Sequence, residues 1–140
     1  VAFGQLPQIE ADPTQLRQLF QNLIANALKF HRANERPIVV IRAQIVDLGR
    51  NVSQRCCRIE IVDNGIGFDM KYADRIFGIF QRLHSRAEFE GTGIGLATCR
   101  KITERHQGEI SVESSSGEGT SFTVELPLRQ HNTETRGEWR

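Results

Sequence analysis

Apolar residues recur at three- and four-residue steps early in the chain: Leu16, Leu19, Phe20, Leu23, Ile24, Ala27 and Leu28. That period predicts an amphipathic helix ending near Phe30. Asp12-Pro13 marks its start, a capping residue followed by the residue best tolerated at the first helical position. Asn34, Arg36 and Pro37 form the loop that stops it. The period then changes to two. Ile38 to Val46 is β-branched and partly alternating, Gly49-Arg50-Asn51 makes a turn, and Cys57 to Val62 returns with Ile59 and Ile61 set against Arg58 and Glu60. A second helix is expected from Met70 to Phe77. The charged, weakly periodic stretch from Gly78 to Phe89 reads as a mobile loop. Another helix begins near Gly95 and ends at Gly108, a candidate C-cap glycine. Glu109 to Glu113 and Thr120 to Leu126 read as strands around a turn at Ser114 to Gly119, the second closed by Pro127. Gln8 to Ala11 reads as a short strand end, and the first residues also look like strand. Helices interleave with antiparallel hairpins, which predicts an α/β (α+β) two-layer sandwich: a mixed, mainly antiparallel sheet with helices on one face.

Composition adds bounds rather than detail. The 140 residues fit one domain with a real core, at 39% apolar and 25% charged content. The expected division is one domain over residues 1–128 and a polar, frayed tail over 129–140. A net charge of +1 supplies no global field toward nucleic acid or an anionic membrane. No apolar run approaches the roughly 20 residues that span a bilayer. Val1-Ala2-Phe3-Gly4 lacks the pattern of a secretory signal, and the chain reads as a piece of something longer. Cys56, Cys57 and Cys99 are odd in number and include an adjacent pair, so they read as small buried thiols rather than a disulfide framework or zinc site.

Three stretches could carry chemistry. At about 100° per residue, Asn22, Asn26 and Lys29 fall on one stripe roughly 60° wide beside the apolar face of the first helix. An Asn carbonyl is a hard oxygen ligand suited to Mg²⁺, and Lys29 could meet a phosphate as a point charge. The same residues also make an ordinary solvated face. Asp63 ends a strand before Asn64-Gly65-Ile66-Gly67. Its carboxylate could accept a hydrogen bond from the amino group of a base, while the glycines let backbone approach a flat ring. A plain Asn-Gly turn is the alternative. Gly91-Thr92-Gly93-Ile94-Gly95 opens a helix and could cradle an anion on backbone N–H groups. It lacks the spacing and Lys-Ser/Thr ending of a P-loop, and a flexible hinge reads equally well. Gly117-Glu118-Gly119-Thr120 suits a hairpin turn. Phe77 and Phe80 suit either lid anchors or core, and Arg82 and Arg86 could reach phosphates or simply face solvent.

Taken in order, these stretches resemble the ATP-binding domain of sensor histidine kinases, within the superfamily shared with gyrase, the heat-shock chaperone ATPases and mismatch-repair ATPases. Asn22 to Phe30 resembles the N box, Asp63 to Phe68 the first G box, and Ile76 to Leu83 the F box. Gly91 to Ala97 resembles the second G box, and Gly117 to Thr120 the trailing glycine turn. The likeness covers roughly Pro7 to Pro127. Lys29-Phe30-His31-Arg32 and Phe80-Gln81-Arg82-Leu83-His84 are most similar to kinases that follow PAS or phytochrome sensory modules.

The resemblance implies a Bergerat-type ATP-binding fold with ATP and Mg²⁺ as cofactors. It implies Asn26 on the metal, and Asn22, Lys29 and Arg82 as the catalytic contacts to metal and phosphate. Asp63 would hold the adenine amino group in a pocket shaped by Gly65, Gly67 and Thr120. Gly91, Thr92, Gly93, Gly95 and Leu96 would wrap the triphosphate beneath a lid from about Phe77 to Gly93. Hydrolytic relatives carry a Glu general base where Asn22 stands, and an amide cannot take a proton from water at neutral pH. The acceptor histidine lies on a separate dimerisation hairpin in the family. His31, His84, His106 and His131 lack its context; His84 sits in the lid, and the rest read as surface or cap residues. The implied partners are that hairpin, a sensory domain and a response-regulator receiver domain, with no nucleic acid and no membrane contact. The implied setting is the bacterial cytoplasm, and the fragment is expected to be mostly monomeric. Two other readings of the same fold are a non-catalytic nucleotide-binding or interaction module and a serine kinase of the anti-sigma-factor type.

Overall fold

The computed structural model describes residues 2–3, 6–7, 9–47, 55–72, 76–77 and 95–128. The expected turn at Gly49-Arg50-Asn51, the loop of residues 78–89 with Arg82 and Arg86, the Gly91-Thr92-Gly93 segment and the tail of residues 129–140 lie outside them.

The elements run β1 (Ala2–Phe3), α1 (Pro13–Lys29), β2 (Val39–Asp47), β3 (Arg55–Asp63), a 3₁₀ turn (Met70–Tyr72), α2 (Gly95–Arg105), β4 (Glu109–Ser115) and β5 (Gly119–Pro127). The strands form one sheet in the order β1-β2-β3-β5-β4. β1 is parallel to β2, and all other pairs are antiparallel. The mixed, mainly antiparallel sheet is thus as expected.

Register explains why the helices lie on one face. Opposite partners Ile41↔Ile61↔Phe122↔Val112 and Ala43↔Ile59↔Val124↔Ile110 put one row of apolar side chains after another on the same side. These residues share a single core with Leu19, Leu23 and Ala27 of α1 and Cys99 and Ile102 of α2. Leu19 and Leu23 are completely buried, and each contributes about 2 kcal/mol. The opposite face carries Arg42, Gln44, Arg58, Glu60 and Glu125. Its Arg58–Glu125 pair, 2.7 Å apart and partly exposed, adds less than about 1 kcal/mol. Apolar burial by α1 and α2, not charge pairing, therefore holds the two layers together.

The two helices are antiparallel. Asn22 meets Gly95, Leu19 meets Cys99, and Asp12 meets His106. α1 begins as predicted: Asp12 accepts from the backbone N–H of Thr14 (2.9 Å) and Gln15 (3.2 Å), and Pro13 takes the first helical position.

Four local expectations fail. Ile9 to Ala11 is not strand; the strand lies earlier, at Ala2–Phe3, although the Glu10 N–H still reaches the Leu128 carbonyl at 2.9 Å. Met70 to Phe77 is not one helix. Only a 3₁₀ turn forms at Met70–Tyr72, and Ile76 and Phe77 sit in a turn, buried in the core, with residues 73–75 outside the described set. Burial of Ile76 and Phe77 overrides helical periodicity there, and the Phe77 ring packs edge-on against Phe122 at 6.1 Å. Phe77 is therefore core rather than a lid anchor. The turn predicted from Ser114 to Gly119 is tighter: β4 continues through Ser115 and β5 begins at Gly119.

The left-handed residue after α2 is Gln107 (φ 62°), not Gly108. Gly108 is glycine for lack of space. A Cβ there would collide with the Glu125 carbonyl oxygen where the helix exit crosses β5.

Candidate nucleotide site

Each element delivers one group to the same end of the sheet. β3 ends at Asp63, whose partner on β5 is Thr120, whose partner on β4 is Ser114. These three continue the core-facing row, so the apolar face terminates in a polar edge. α1 runs toward that edge and α2 starts at it.

Asp63 is anchored through one oxygen. Its Oδ1 accepts from the Gly65 N–H at 2.8 Å and the Thr120 N–H at 3.3 Å. Among the described residues no hydrogen bond falls on Oδ2. Burial pushes the Asp63 carboxyl above its ordinary range, and the two N–H bonds pull it partly back. A desolvated, oriented acceptor of this kind suits an amino-group donor, and a hydrogen bond to a charged group contributes about 1.5–3 kcal/mol.

The loop after Asp63 is held from three sides. The Ile66 N–H bonds the Phe30 carbonyl at 2.9 Å, and the Gly117 N–H bonds the Ile66 carbonyl at 2.6 Å. Asn64 staples it to the α1–β2 connection: its Oδ1 accepts from the Ile38 N–H at 2.8 Å, and its Nδ2 donates to the Arg36 carbonyl at 3.1 Å. Positive φ falls at Gly67 (67°) and not at Gly65, contrary to an Asn-Gly turn. Gly65 is required because a Cβ would strike the Phe30 carbonyl oxygen, and one on Gly67 would strike that of Ser115.

The α1 stripe splits into different roles. The Asn22 side-chain N–H donates to the Gly95 carbonyl at 3.3 Å and lies against the Cys99 thiol. Burial pushes that thiol up to about 12, with the contact from Asn22 pulling the other way, so it stays neutral. Asn26 is half-buried and lies one turn before Phe30, whose carbonyl touches the Asp63 loop. Its side chain makes no hydrogen bond among the described residues. Lys29 is exposed in the last turn. Leu96 packs partly buried against the core, and a Cβ on Gly95 would meet only Asn22 at 3.9 Å, an ordinary contact.

The structure thus brings Asn22, Asn26, Lys29, Asp63, Gly65, Gly67, Gly95, Leu96 and Thr120 to one end of the molecule. Arg82, Gly91, Thr92 and Gly93 lie outside the described residues.

An Asn26 oxygen with no partner among the described residues fits a hard divalent ion that takes its other ligands from phosphate and water. Among the described residues no group of three His, Cys, Asp or Glu could hold a metal without such help.

Two residues were not foreseen. The Arg32 Nε donates to the Gly65 carbonyl at 3.2 Å, and its guanidinium also reaches the Gly117 carbonyl, tying the first glycine loop to the β4–β5 turn. Its place within Lys29-Phe30-His31-Arg32 gave no hint of that reach. Ser114 bonds Phe68, Gly119 and Thr120. In sequence it is one member of a serine run.

A model of the family described as histidine kinase-, DNA gyrase B- and HSP90-like ATPases matches residues 11–130. The chain belongs to that family. Membership implies ATP binding by the domain. Over 136 residues the chain is 50% identical to cyanobacterial phytochrome A of Nostoc sp., covering 97% of this chain and 17% of that protein. It is 36% identical over 120 residues to the sensor protein kinase WalK of Staphylococcus haemolyticus, covering 84% of this chain and 19% of the other. The chain therefore spans less than a fifth of the length of either. The fold matches the mycobacterial sensor histidine kinase MprB with a TM-score of 0.74 at 23% identity, over 92% of this chain and 81% of that one. Full-length ShkA in complex with AMPPNP matches with a TM-score of 0.74 at 29% identity, over 94% of this chain and 26% of the other. The likeness to phytochrome-type kinases read from the two short phrases is thus found again over the whole chain.

Proposed function

We propose that this chain is the catalytic, ATP-binding domain of a sensor histidine kinase and passes the γ-phosphoryl group of Mg-ATP to a histidine on a separate dimerisation hairpin. The observation that carries this is Asp63: a half-buried carboxylate fixed through Oδ1, its other oxygen without a hydrogen bond among the described residues, beside the helix end that bears Asn26. Asp63 accepts from the adenine amino group, and Gly65, Gly67 and Thr120 bound the base. Asn26 holds Mg²⁺, which supplies charge neutralisation on the phosphates. Lys29 adds a second positive charge, with Arg82 and the Gly91-Thr92-Gly93 segment completing the phosphate side. Asn22 holds the start of α2 through Gly95, which sets where that segment joins the helix. Transfer then rests on positioning and charge, with little covalent chemistry asked of the domain.

Asn22 also bears on the fate of the phosphoryl group. Its amide donates to Gly95 and is no base, so water gains no catalyst at this position. The names of the relatives support a sensor-kinase parent, and nothing in them favours the non-catalytic module or the serine kinase. A receiver domain as onward partner, a cytoplasmic setting and a domain limit near Leu128 belong to the same reading. The Leu128 N–H still bonds the Arg55 carbonyl at 3.1 Å, which supports that limit. Among the described residues no helix is long and apolar enough to cross a membrane.

The test is calorimetric titration with ATP, with and without Mg²⁺, followed by transfer to an added acceptor hairpin. The expected outcome is Mg²⁺-dependent binding, and transfer that Asn26→Ala abolishes. Wild-type transfer by the Asn26→Ala protein would refute the metal assignment, and no ATP binding would refute the whole reading.

A further inference from the structure

The proton count around Ser114 carries a consequence for base selection, given that the site binds a purine as proposed above. A serine hydroxyl has one proton to give and two lone pairs to receive. The Phe68 N–H donates to Ser114 Oγ at 2.9 Å, using one lone pair. The Gly119 carbonyl lies 2.8 Å from Ser114 Oγ and can only accept, so it takes the single Ser114 proton. Thr120 Oγ1 is also 2.8 Å from Ser114 Oγ. With its proton already given away, Ser114 can meet Thr120 only as an acceptor. The Thr120 hydroxyl proton therefore points at Ser114, and Thr120 keeps nothing but lone pairs for other partners.

The Thr120 backbone N–H is likewise committed, to Asp63 Oδ1 at 3.3 Å. Asp63 and Thr120 are direct cross-strand partners, with side chains on the same face. The edge thus offers two acceptors side by side, Asp63 Oδ2 and Thr120 Oγ1, and no donor from either residue.

The geometry points to Ser114 as a positioning residue for base specificity: by holding the Thr120 hydroxyl as an acceptor, it makes the edge select a purine with an exocyclic amino group over one with an oxo group. An amino group brings two N–H donors to two acceptors. At the position of the amino group an oxo group brings lone pairs against lone pairs, its one donor in this region, the N1–H, lying one ring position away, and acceptors desolvated without donors weaken binding strongly. Asp63 alone rejects the oxo group at one atom, and Ser114 extends the rejection to a second. Without Ser114 the Thr120 hydroxyl is free to turn and donate, which relieves half of the conflict.

The test compares affinity for ATP and inosine triphosphate, which carries an oxo group in place of the amino group and a proton on N1, by calorimetry on the 140-residue chain. Wild type is expected to prefer ATP. Ser114→Ala should lower the ATP-to-inosine-triphosphate preference about tenfold, chiefly by improving the second ligand. Thr120→Val, which keeps the Ser114 bonds to Phe68 and Gly119, should lower the preference by weakening ATP. Adding Ser114→Ala to Thr120→Val should change the ratio no further, since the hydroxyl to be oriented is gone. A Ser114→Ala protein that loses both nucleotides equally would show a purely structural role and overturn the inference, as would an unchanged ratio in Thr120→Val. A wild-type chain that binds neither nucleotide would instead sink the reading of the site itself.

Discussion

The two ends of the helix pair place their most constrained polar residues, His106 and Asp63, in different situations. At one end stand Asp63, Thr120 and Asn26; at the other, Asp12 and His106. His106 is completely buried, with Nε2 accepting from the Asp12 N–H at 3.1 Å and Nδ1 set 2.8 Å from the Ile102 carbonyl. A ring that accepts at Nε2 carries its proton on Nδ1, so both nitrogens are used. The Asp12 carboxylate caps α1 through Oδ1 alone, and Gln15 Oε1 is buried nearby with no hydrogen bond among the described residues, so saturation is a property of the His106 ring rather than of every group at this end. At the Asp63 end, unlike the His106 ring, Oδ2 of Asp63, the lone pairs of Thr120 and the side chain of Asn26 carry no hydrogen bond among the described residues. A buried ring with both nitrogens bonded holds the fold, whereas an oriented carboxylate at a strand end has room to take a donor. The expectation that His106 was a surface or cap residue was therefore incomplete. It does cap the end of α2, yet it also locks that end to the start of α1 from inside the core.

The largest effect expected from breaking this contrast lies at the His106 end. His106→Ala should lower stability by about 3 kcal/mol, since it opens a cavity and leaves the buried Asp12 N–H unpaired. ATP affinity of the folded protein should stay unchanged. Denaturant unfolding and calorimetry check the two halves; a loss of affinity without a loss of stability would invert the assignment of the ends.

Asp63→Asn comes next, with the reverse pattern. ATP affinity should fall by about 2 kcal/mol, the value of a charged hydrogen bond. Thermal stability should hold or rise, because a carboxylate penalised by burial has been removed. A fall in melting temperature with affinity intact would make Asp63 structural.

The ends should also answer acid with opposite signs. Burial lowers the His106 pKa below its ordinary 6.5, with the Ile102 carbonyl and the Asp12 charge pulling it back. The unfolded chain then takes up the proton first, so this group costs stability as pH falls below about 6.5. The Asp63 pKa is raised above its ordinary 3.8, so the folded state takes up the proton first and this group adds stability on acidification. The same proton removes the acceptor. ATP affinity should be full above the raised pKa and fall as pH drops through it, at a pH above 3.8. The Asp63→Asn protein should not show that titration. Melting curves and ATP titrations across pH, on wild type, Asp63→Asn and His106→Gln, separate the two.

The smallest effect sharpens the His106 end further. Gln107 holds a left-handed conformation that costs an L-residue about 1 kcal/mol. Gln107→Gly should raise stability by about that amount and leave ATP affinity untouched, as thermal melting and calorimetry would show. A changed affinity would mean that the two ends are coupled through α2.

Much of this was legible in the chain itself. The period of Leu16 to Leu28, the Asp12-Pro13 start and the alternation around Ile59 and Ile61 each name an element by local physics. The order of the glycine-bearing stretches named the family. Where prediction failed, a distant contact had overruled a local preference, as when the core took up Ile76 and Phe77 and when Glu125 forced Gly108. Those contacts span many residues and leave no periodic trace.

Local sequence determined the helices, the strands and the side chains available for chemistry, because propensity, capping and hydrophobic period act over a few neighbouring residues. Tertiary structure alone decided which of those side chains would be saturated and which left open. Hydrogen-bond satisfaction depends on partners such as Ser114 with Thr120 or His106 with Asp12, far apart along the backbone or related only by strand register, and folding is what brings them into reach.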